Sequence, residues 1–274
     1  MENSTFFASF NLIKKKLLVS FGFAFLFVFT LLAINQILLL FNFYIKNQAT
    51  FSQGISLFFY SLPSAIVMSA PYAVCIGFVH GLNKLNFTRK QAQGRKIIMP
   101  VIVLGLLISI ITFIVSDFVL PNSNRNFTKL YLSISPEDGE QLETPREINS
   151  IKLLQKINEI HNDGKKLNVH ILEFNKKYSI PFGALFFAFF ALSLSVKIRK
   201  HLKISLCISF LSCVIYWAVL MYGQIFSLAN GKYGAFVMWF PNILFLCISM
   251  ILYFIQYKPP ASVRAANVKG FNGA

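Results

Sequence analysis

The sequence predicts an all-α membrane protein with six transmembrane helices, three on either side of a short polar segment that holds one amphipathic helix. Three observations lead there. The 274-residue chain is 55% hydrophobic and 16% aromatic but only 13% charged, whereas soluble domains carry about 25% charged residues. Six runs are free of Asp, Glu, Lys and Arg: Leu17–Ile45, Asn47–Asn83, Ile97–Ser116, Tyr178–Val196, Ile204–Gly231 and Tyr233–Tyr257. Each is long enough to cross a bilayer as a helix, the form that satisfies every backbone group where no water is available. Finally, the basic residues alternate from loop to loop. Lys14–Lys16, the group Lys84, Arg89, Lys90, Arg95 and Lys96, the group Lys197, Arg199, Lys200 and Lys203, and the tail residues Lys258, Arg264 and Lys269 hold fifteen of the 26 Lys and Arg, while the intervening short loops carry only Lys46 and Lys232. The positive-inside rule then places both termini and these basic loops in the cytoplasm. The net charge of +16 is thereby a topology signal, and nucleic acid is not an expected partner.

The order of elements follows. Residues 1–16 form a cytoplasmic lead-in whose Phe6, Phe7 and Phe10 suit the headgroup region. The first span carries the uncharged amides Asn35, Gln36 and Asn42, which bond to a neighbouring helix or face a substrate. The second holds Pro63 and Pro71, each of which removes a backbone donor and favours a kink. The loop 83–96 is basic, and reads either as solvated chain or as a docking helix for a cytoplasmic partner. The third span ends at Asp117, an acid at a span end and so inexpensive to keep there.

The polar block between Leu120 and Tyr178 is nearly neutral, with nine basic and eight acidic residues. Residues 127–143 read as irregular linker. Thr144, Pro145 and Glu147 fit a capping box with Pro at the first helical position. Ile148, Ile151, Leu154, Ile157 and Ile160 follow as a helical stripe, and Gly164 marks a stop, which predicts an amphipathic helix over 145–163. Val169, Ile171 and Phe174 alternate as a short strand would. Tyr178 and Trp239 sit where aromatic anchors belong, and residues 258–274 read as a polar tail. The chain thus divides into a first membrane half (1–120, with the loop 83–96), an external segment (121–177), a second membrane half (178–257) and a cytoplasmic tail (258–274).

Enzyme chemistry finds no footing. There is no GxxxxGK[ST] phosphate loop. The histidines, His80, His161, His170 and His201, are scattered, and Cys75, Cys207, Cys213 and Cys247 all fall in predicted spans, so no disulfide framework or metal spacing emerges. No catalytic residue, cofactor or metal is expected. No ionisable residue lies at mid-span, which argues against an ion-coupled carrier. Energy for transport would come from a partner ATPase.

Several short motifs occur in a fixed order. Asp117-Phe-Val-Leu-Pro121-Asn-Ser-Asn124 leaves the third span. Thr144-Pro-Arg-Glu147 opens the outer helix that ends at Gly164. Glu173-Phe-Asn-Lys-Lys-Tyr-Ser-Ile-Pro181 approaches the fourth span, Gly223-Gln224 ends the fifth, and Trp239-Phe-Pro241-Asn242 opens the sixth. In this order they resemble the LptF/LptG (YjgP/YjgQ) permeases over nearly the whole chain. The resemblance implies a permease of a lipopolysaccharide-export ABC transporter in the inner membrane. Its partners would be a second permease subunit, a cytoplasmic LptB-like ATPase and a periplasmic bridge protein. It implies a lateral gate built from spans one and five. Arg89, Gln91, Ala92, Gly94 and Arg95 would form the ATPase-coupling loop, and Lys46 and Arg125, by position, would meet lipid phosphates. Asp117, Pro121, Asn124, Pro181, Trp239, Pro241 and Asn242 would be structural.

Two departures stand out. The family carries a periplasmic β-jellyroll between spans three and four, and here the connecting stretch holds only the flanking pieces. The coupling loop keeps the Ala-x-Gly ending at Ala92–Gly94 but has no acid. The alternative readings are a non-transporting membrane scaffold, or degenerate permease, and an integral-membrane enzyme acting on lipids.

Overall fold

The computed structural model describes residues 2–85, 95–135, 144–160, 164–198, 201–230 and 234–256. Among them every regular element is helical. In chain order these are α1 (Glu2–Asn47), α2 (Phe51–Asn83), α3 (Arg95–Ile114), a π turn (Val115–Val119), α4 (Leu120–Ile134), a 3-10 turn (Pro145–Glu147), α5 (Ser150–Glu159), α6 (Gly164–Lys197), α7 (Leu202–Asn230) and α8 (Gly234–Gln256). Six helical stretches are long and apolar enough to cross a membrane. They are α1, α2, the continuous run from α3 through α4, and α6, α7 and α8. The fold is an all-α multi-pass membrane bundle.

Neighbouring helices run antiparallel where the loops are short. The α1–α2 pair aligns Tyr44 with Gly54 at one end and Leu17 with Gly81 at the other. Lipid is as apolar as leucine, so helices in a membrane gain from close packing at small residues. Gly77 provides such a contact: a Cβ there would lie 2.7 Å from the Phe21 Cα. Gly105 does the same against Ala188, joining α3 to α6. The two central helices, α2 and α6, bury 67% and 78% of their most apolar stretches, against 22% for α1 and 28% for α8. The core is therefore built by α2 and α6, with Phe78, Phe187, Tyr216 and Phe245 among its buried side chains. The outer helices leave Phe23, Leu26, Ile251 and Phe254 exposed as a lipid-facing surface.

The polar block departs from expectation in four ways. α4 carries the third span on to Ile134, so the first part of the expected linker is helix. The reason lies in an amphipathic pattern that prevails over the low helix propensity of its Asn, Ser and Thr residues. Phe127 and Tyr131 stack on one face, and Tyr131 lies 4.1 Å, centroid to centroid, from Phe43 of α1. The expected strand at 169–174 is also helix, because α6 begins at Gly164. There the stripe Val169, Leu172 and Lys176 faces a cavity, and helix periodicity prevails over a loose alternation. Gly164 thus opens a helix where it was expected to close one. The amphipathic helix itself is shorter than 145–163. Thr144 and Glu147 do bond, through Thr144 Oγ1 and Glu147 Oε1 at 2.8 Å, but only around a 3-10 turn. The α-helix starts at Ser150, with Asn149 as N-cap accepting from the Lys152 amide at 3.0 Å. Its stripe is turned as well: Ile148 and Leu153 are buried while Ile151 and Leu154 are exposed.

Only residues 136–143 separate the described ends Ser135 and Thr144, a length far short of a jellyroll domain. Of the expected coupling loop, Arg89, Gln91, Ala92 and Gly94 lie outside the described residues, as does the tail 258–274. Arg95 is the first residue of α3.

Candidate lipid-binding cavity and its polar rim

One end of the bundle is organised by two carboxylates. Asp117 sits in the π turn, where the Leu120 amide reaches back to the Val115 carbonyl and each turn holds one extra residue. Pro121, which has no amide to donate to the helical ladder, follows directly after this wide turn. Asp117 is 5% exposed. Its Oδ1 accepts from the Ser150 amide at 2.7 Å and from the Ser150 hydroxyl at 2.6 Å. Lys177 Nζ of α6 approaches the same oxygen at 3.4 Å. One acid thereby satisfies the first turn of α5, whose amides carry partial positive charge, and neutralises a buried lysine.

Glu173 is the second carboxylate. Its Oε1 accepts from Arg146 Nε at 2.9 Å and Lys176 Nζ at 3.3 Å. Asn124 Nδ2 of α4 donates to the Arg146 carbonyl at 3.1 Å. The strap 144–150 is therefore tied to the bundle by Asp117, Asn124 and Glu173 together. Asp117 and Asn124 reach this one strap from the same continuous helical run.

Beneath this strap lies a cavity of about 730 Å³, the size of a site for a large ligand. Thr144, Pro145 and Arg146 form part of its rim, with Glu173, Lys176 and Lys177 beside them. Its apolar wall residues are Val67 and Met68 of α2, Leu172 and Ile180 of α6, and Met221 and Leu228 of α7, with the hydroxyls of Ser61, Ser64, Ser116 and Thr128 among them. Gln36 of α1 and Gln224 of α7 also line it. The Gln224 Nε2 donor is buried and has no partner. The cavity is thus cationic at one end, mixed apolar and hydroxyl- or amide-bearing along its walls, and bounded by α1 and α7, which both pack on α2.

A polar knot fixes α7 behind the cavity. Asn242 of α8 is fully buried. Its Nδ2 donates to the Ser179 carbonyl at 2.8 Å and its Oδ1 accepts from the Tyr216 hydroxyl at 2.9 Å. Ser179 Oγ donates to the Met238 carbonyl. Trp239 Nε1 donates to Asn175 Oδ1 at 3.3 Å. Gly183 faces the knot, and a Cβ there would meet the Tyr216 hydroxyl at 2.8 Å. Pro181 and Pro241 lie within α6 and α8 near these bonds.

The residues singled out in the sequence fall into three groups. Asp117, Asn124, Trp239 and Asn242 make interhelical bonds, and Pro121, Pro181 and Pro241 lie next to them. Lys46, in the last turn of α1, and Arg125, on α4, are exposed and do not line the cavity; Arg146, Lys176 and Lys177 do. These three were visible only as motif letters. The available signal was the cluster Glu173–Lys177 abutting an apolar run, with acid and base three residues apart. The partners Ser150, Ser179 and Tyr216 carried no signal, because serines and tyrosines are common in spans.

No curated protein matches the chain. The family described as lipopolysaccharide export system permease LptF/LptG matches residues 12–146 and 128–254. Those two overlapping stretches include all six spans and both carboxylate clusters, and the chain belongs to the LptF/LptG permease family.

Proposed function

We propose that this chain is a permease subunit of an ATP-driven exporter that extracts a lipopolysaccharide-type glycolipid from the outer leaflet of the inner membrane. The single observation that carries this reading is the cavity: three cations at its rim and apolar walls below match a lipid with anionic headgroup and acyl chains. The rim lies on the side expected to be periplasmic, and both termini are cytoplasmic. Lipid enters between α1 and α7. The buried Gln224 amide donates to an ester or amide carbonyl of the acyl region. Lys46 and Arg125, exposed near the same end, attract the headgroup, and Arg146 and Lys176 seat it. The motion is driven through the loop 83–96, where Arg89, Gln91, Ala92, Gly94 and Arg95 receive a cytoplasmic LptB-like ATPase. The first half (1–120) and second half (178–257) move against one another, the polar knot keeping α6, α7 and α8 together as one unit, with the segment 121–177 as the exit. A second permease subunit supplies the jellyroll absent here and meets the periplasmic bridge protein.

The test is affinity purification from native membranes in mild detergent, with identification of co-eluting proteins and ATPase assays with added lipopolysaccharide. An ATPase at stoichiometric level, stimulated by the lipid and no longer stimulated when Arg89 and Arg95 are both replaced by Ala, is the expected outcome. Recovery of the chain alone would overturn it. The short 135–144 connection favours one second reading, a scaffold that lost hand-off along with the jellyroll. A stoichiometric ATPase that ignores lipid would support that.

A further inference from the structure

We infer that Glu173 is an internal competitor for the anion seat: its carboxylate occupies the place that a phosphate-bearing lipid headgroup takes, and the lipid enters by displacing it. This deepens the preceding reading and rests on it.

Two features carry the inference. The first is where the cations point. Arg146 and Lys176 both line the cavity, and both converge on the same oxygen, Glu173 Oε1, at 2.9 and 3.3 Å. Two cations from separate elements aimed at one anionic oxygen form a phosphate seat with a carboxylate already in it. The second is an asymmetry between the two acids. Asp117 faces Lys177 with both side chains 7% exposed, and it also holds two donors from Ser150, so it is locked. Arg146, opposite Glu173, is 63% exposed. An exposed guanidinium keeps its hydration when it turns away, whereas Glu173 itself is 9% exposed, so an incoming phosphate must offset the loss of that buried carboxylate's partners. The planar fork of Arg146 suits the bidentate geometry of a phosphate better than that of a single carboxylate oxygen. The Asp117 cluster is thus the fixed tie of the strap, and the Glu173 cluster the exchangeable one. In the empty permease Glu173 offsets one of the two positive charges beside the cavity. When a phosphate arrives, Arg146 and Lys176 turn to it, and the carboxylate is left to water at the rim.

A seat filled by an internal group binds its ligand more weakly, by the fraction of time it stands open. Replacing the competitor therefore tightens binding. The experiment measures binding of bisphosphorylated lipid A, of its fully dephosphorylated form and of inorganic phosphate to the full-length protein in detergent micelles. Glu173→Gln is expected to bind bisphosphorylated lipid A on the order of tenfold more tightly than the wild type, with the dephosphorylated form unchanged. Glu173→Asp, whose shorter arm retreats from Arg146, shifts in the same direction and serves if the Gln variant does not fold. Unchanged or weaker binding in both variants, with Arg146→Gln still weakening it, overturns the competitor role and leaves the headgroup site standing. No effect of Arg146→Gln or Lys176→Gln removes the headgroup site, and the competitor with it. Inorganic phosphate displacing lipid A at equal concentration would identify a free-phosphate site and overturn the lipid assignment.

Discussion

Replacing Asn242 by Ala should loosen the bundle at the point where α7 is held. The side chain is fully buried and joins three helices, donating to Ser179 and accepting from Tyr216 at 2.8 and 2.9 Å. Interhelical hydrogen bonds in membranes average about 0.6 kcal/mol each, with an upper value of about 1.7. Two such bonds vanish. The Tyr216 hydroxyl, on a residue 1% exposed, also loses its acceptor, and a stranded buried group costs about 1–3 kcal/mol. The expected loss is about 2–4 kcal/mol. The assay is reversible SDS unfolding of the purified protein in mixed micelles, followed by circular dichroism. Tyr216→Phe removes the hydroxyl that the first variant strands, so the double variant should lose less than the sum of the singles, by about 1 kcal/mol. A loss below about 0.5 kcal/mol for Asn242→Ala, or strict additivity in the cycle, would refute the knot as a load on α7.

Two further outcomes follow from the same packing. Asp117→Asn keeps an acceptor for Ser150 but leaves Lys177 buried without its charge partner, a loss of about 3–5 kcal/mol; limited proteolysis should then cut within 144–160, and adding Lys177→Met should restore protection. Gly77→Ala places a methyl against the Phe21 and Ser20 backbone at 2.7 and 2.8 Å, which should lower the unfolding free energy in the SDS assay by about 1–3 kcal/mol, whereas Gly22→Ala, with nothing within 4 Å, should leave it unchanged.

The spans were legible because lipid imposes a simple rule: apolar side chains over a fixed length, with charges sorted at the ends. Asp117 to Asn124 and Trp239 to Asn242 were legible as motifs, though not as contacts. What the sequence hid was the polar block, where the rule lapses. There Gly164 begins a helix, and Thr144 and Glu147 bond without starting one, since both outcomes depend on what the strap docks against. The cavity rim was hidden for a related reason. Arg146 and Glu173 stand 27 residues apart, and no local pattern says that they meet. Ser150 and Tyr216 acquire their roles wholly from partners on other helices.

The π turn at Val115–Val119 has a meaning beyond placing one carboxylate. Regular winding advances about 100° per residue, and the wide turn absorbs one residue more than that winding allows. It acts as a phase setting for all that lies beyond it. Removing any one of those five residues would restore uniform pitch and swing α4 by about 100°, carrying Asn124 away from the Arg146 carbonyl and Tyr131 away from Phe43. Apolar letters within the stretch are free to drift, because lipid and neighbouring methyl groups do not distinguish among them. Its length is not. The information held there is a count: an insertion or deletion should re-aim α4, whereas an exchange of one apolar residue for another should not.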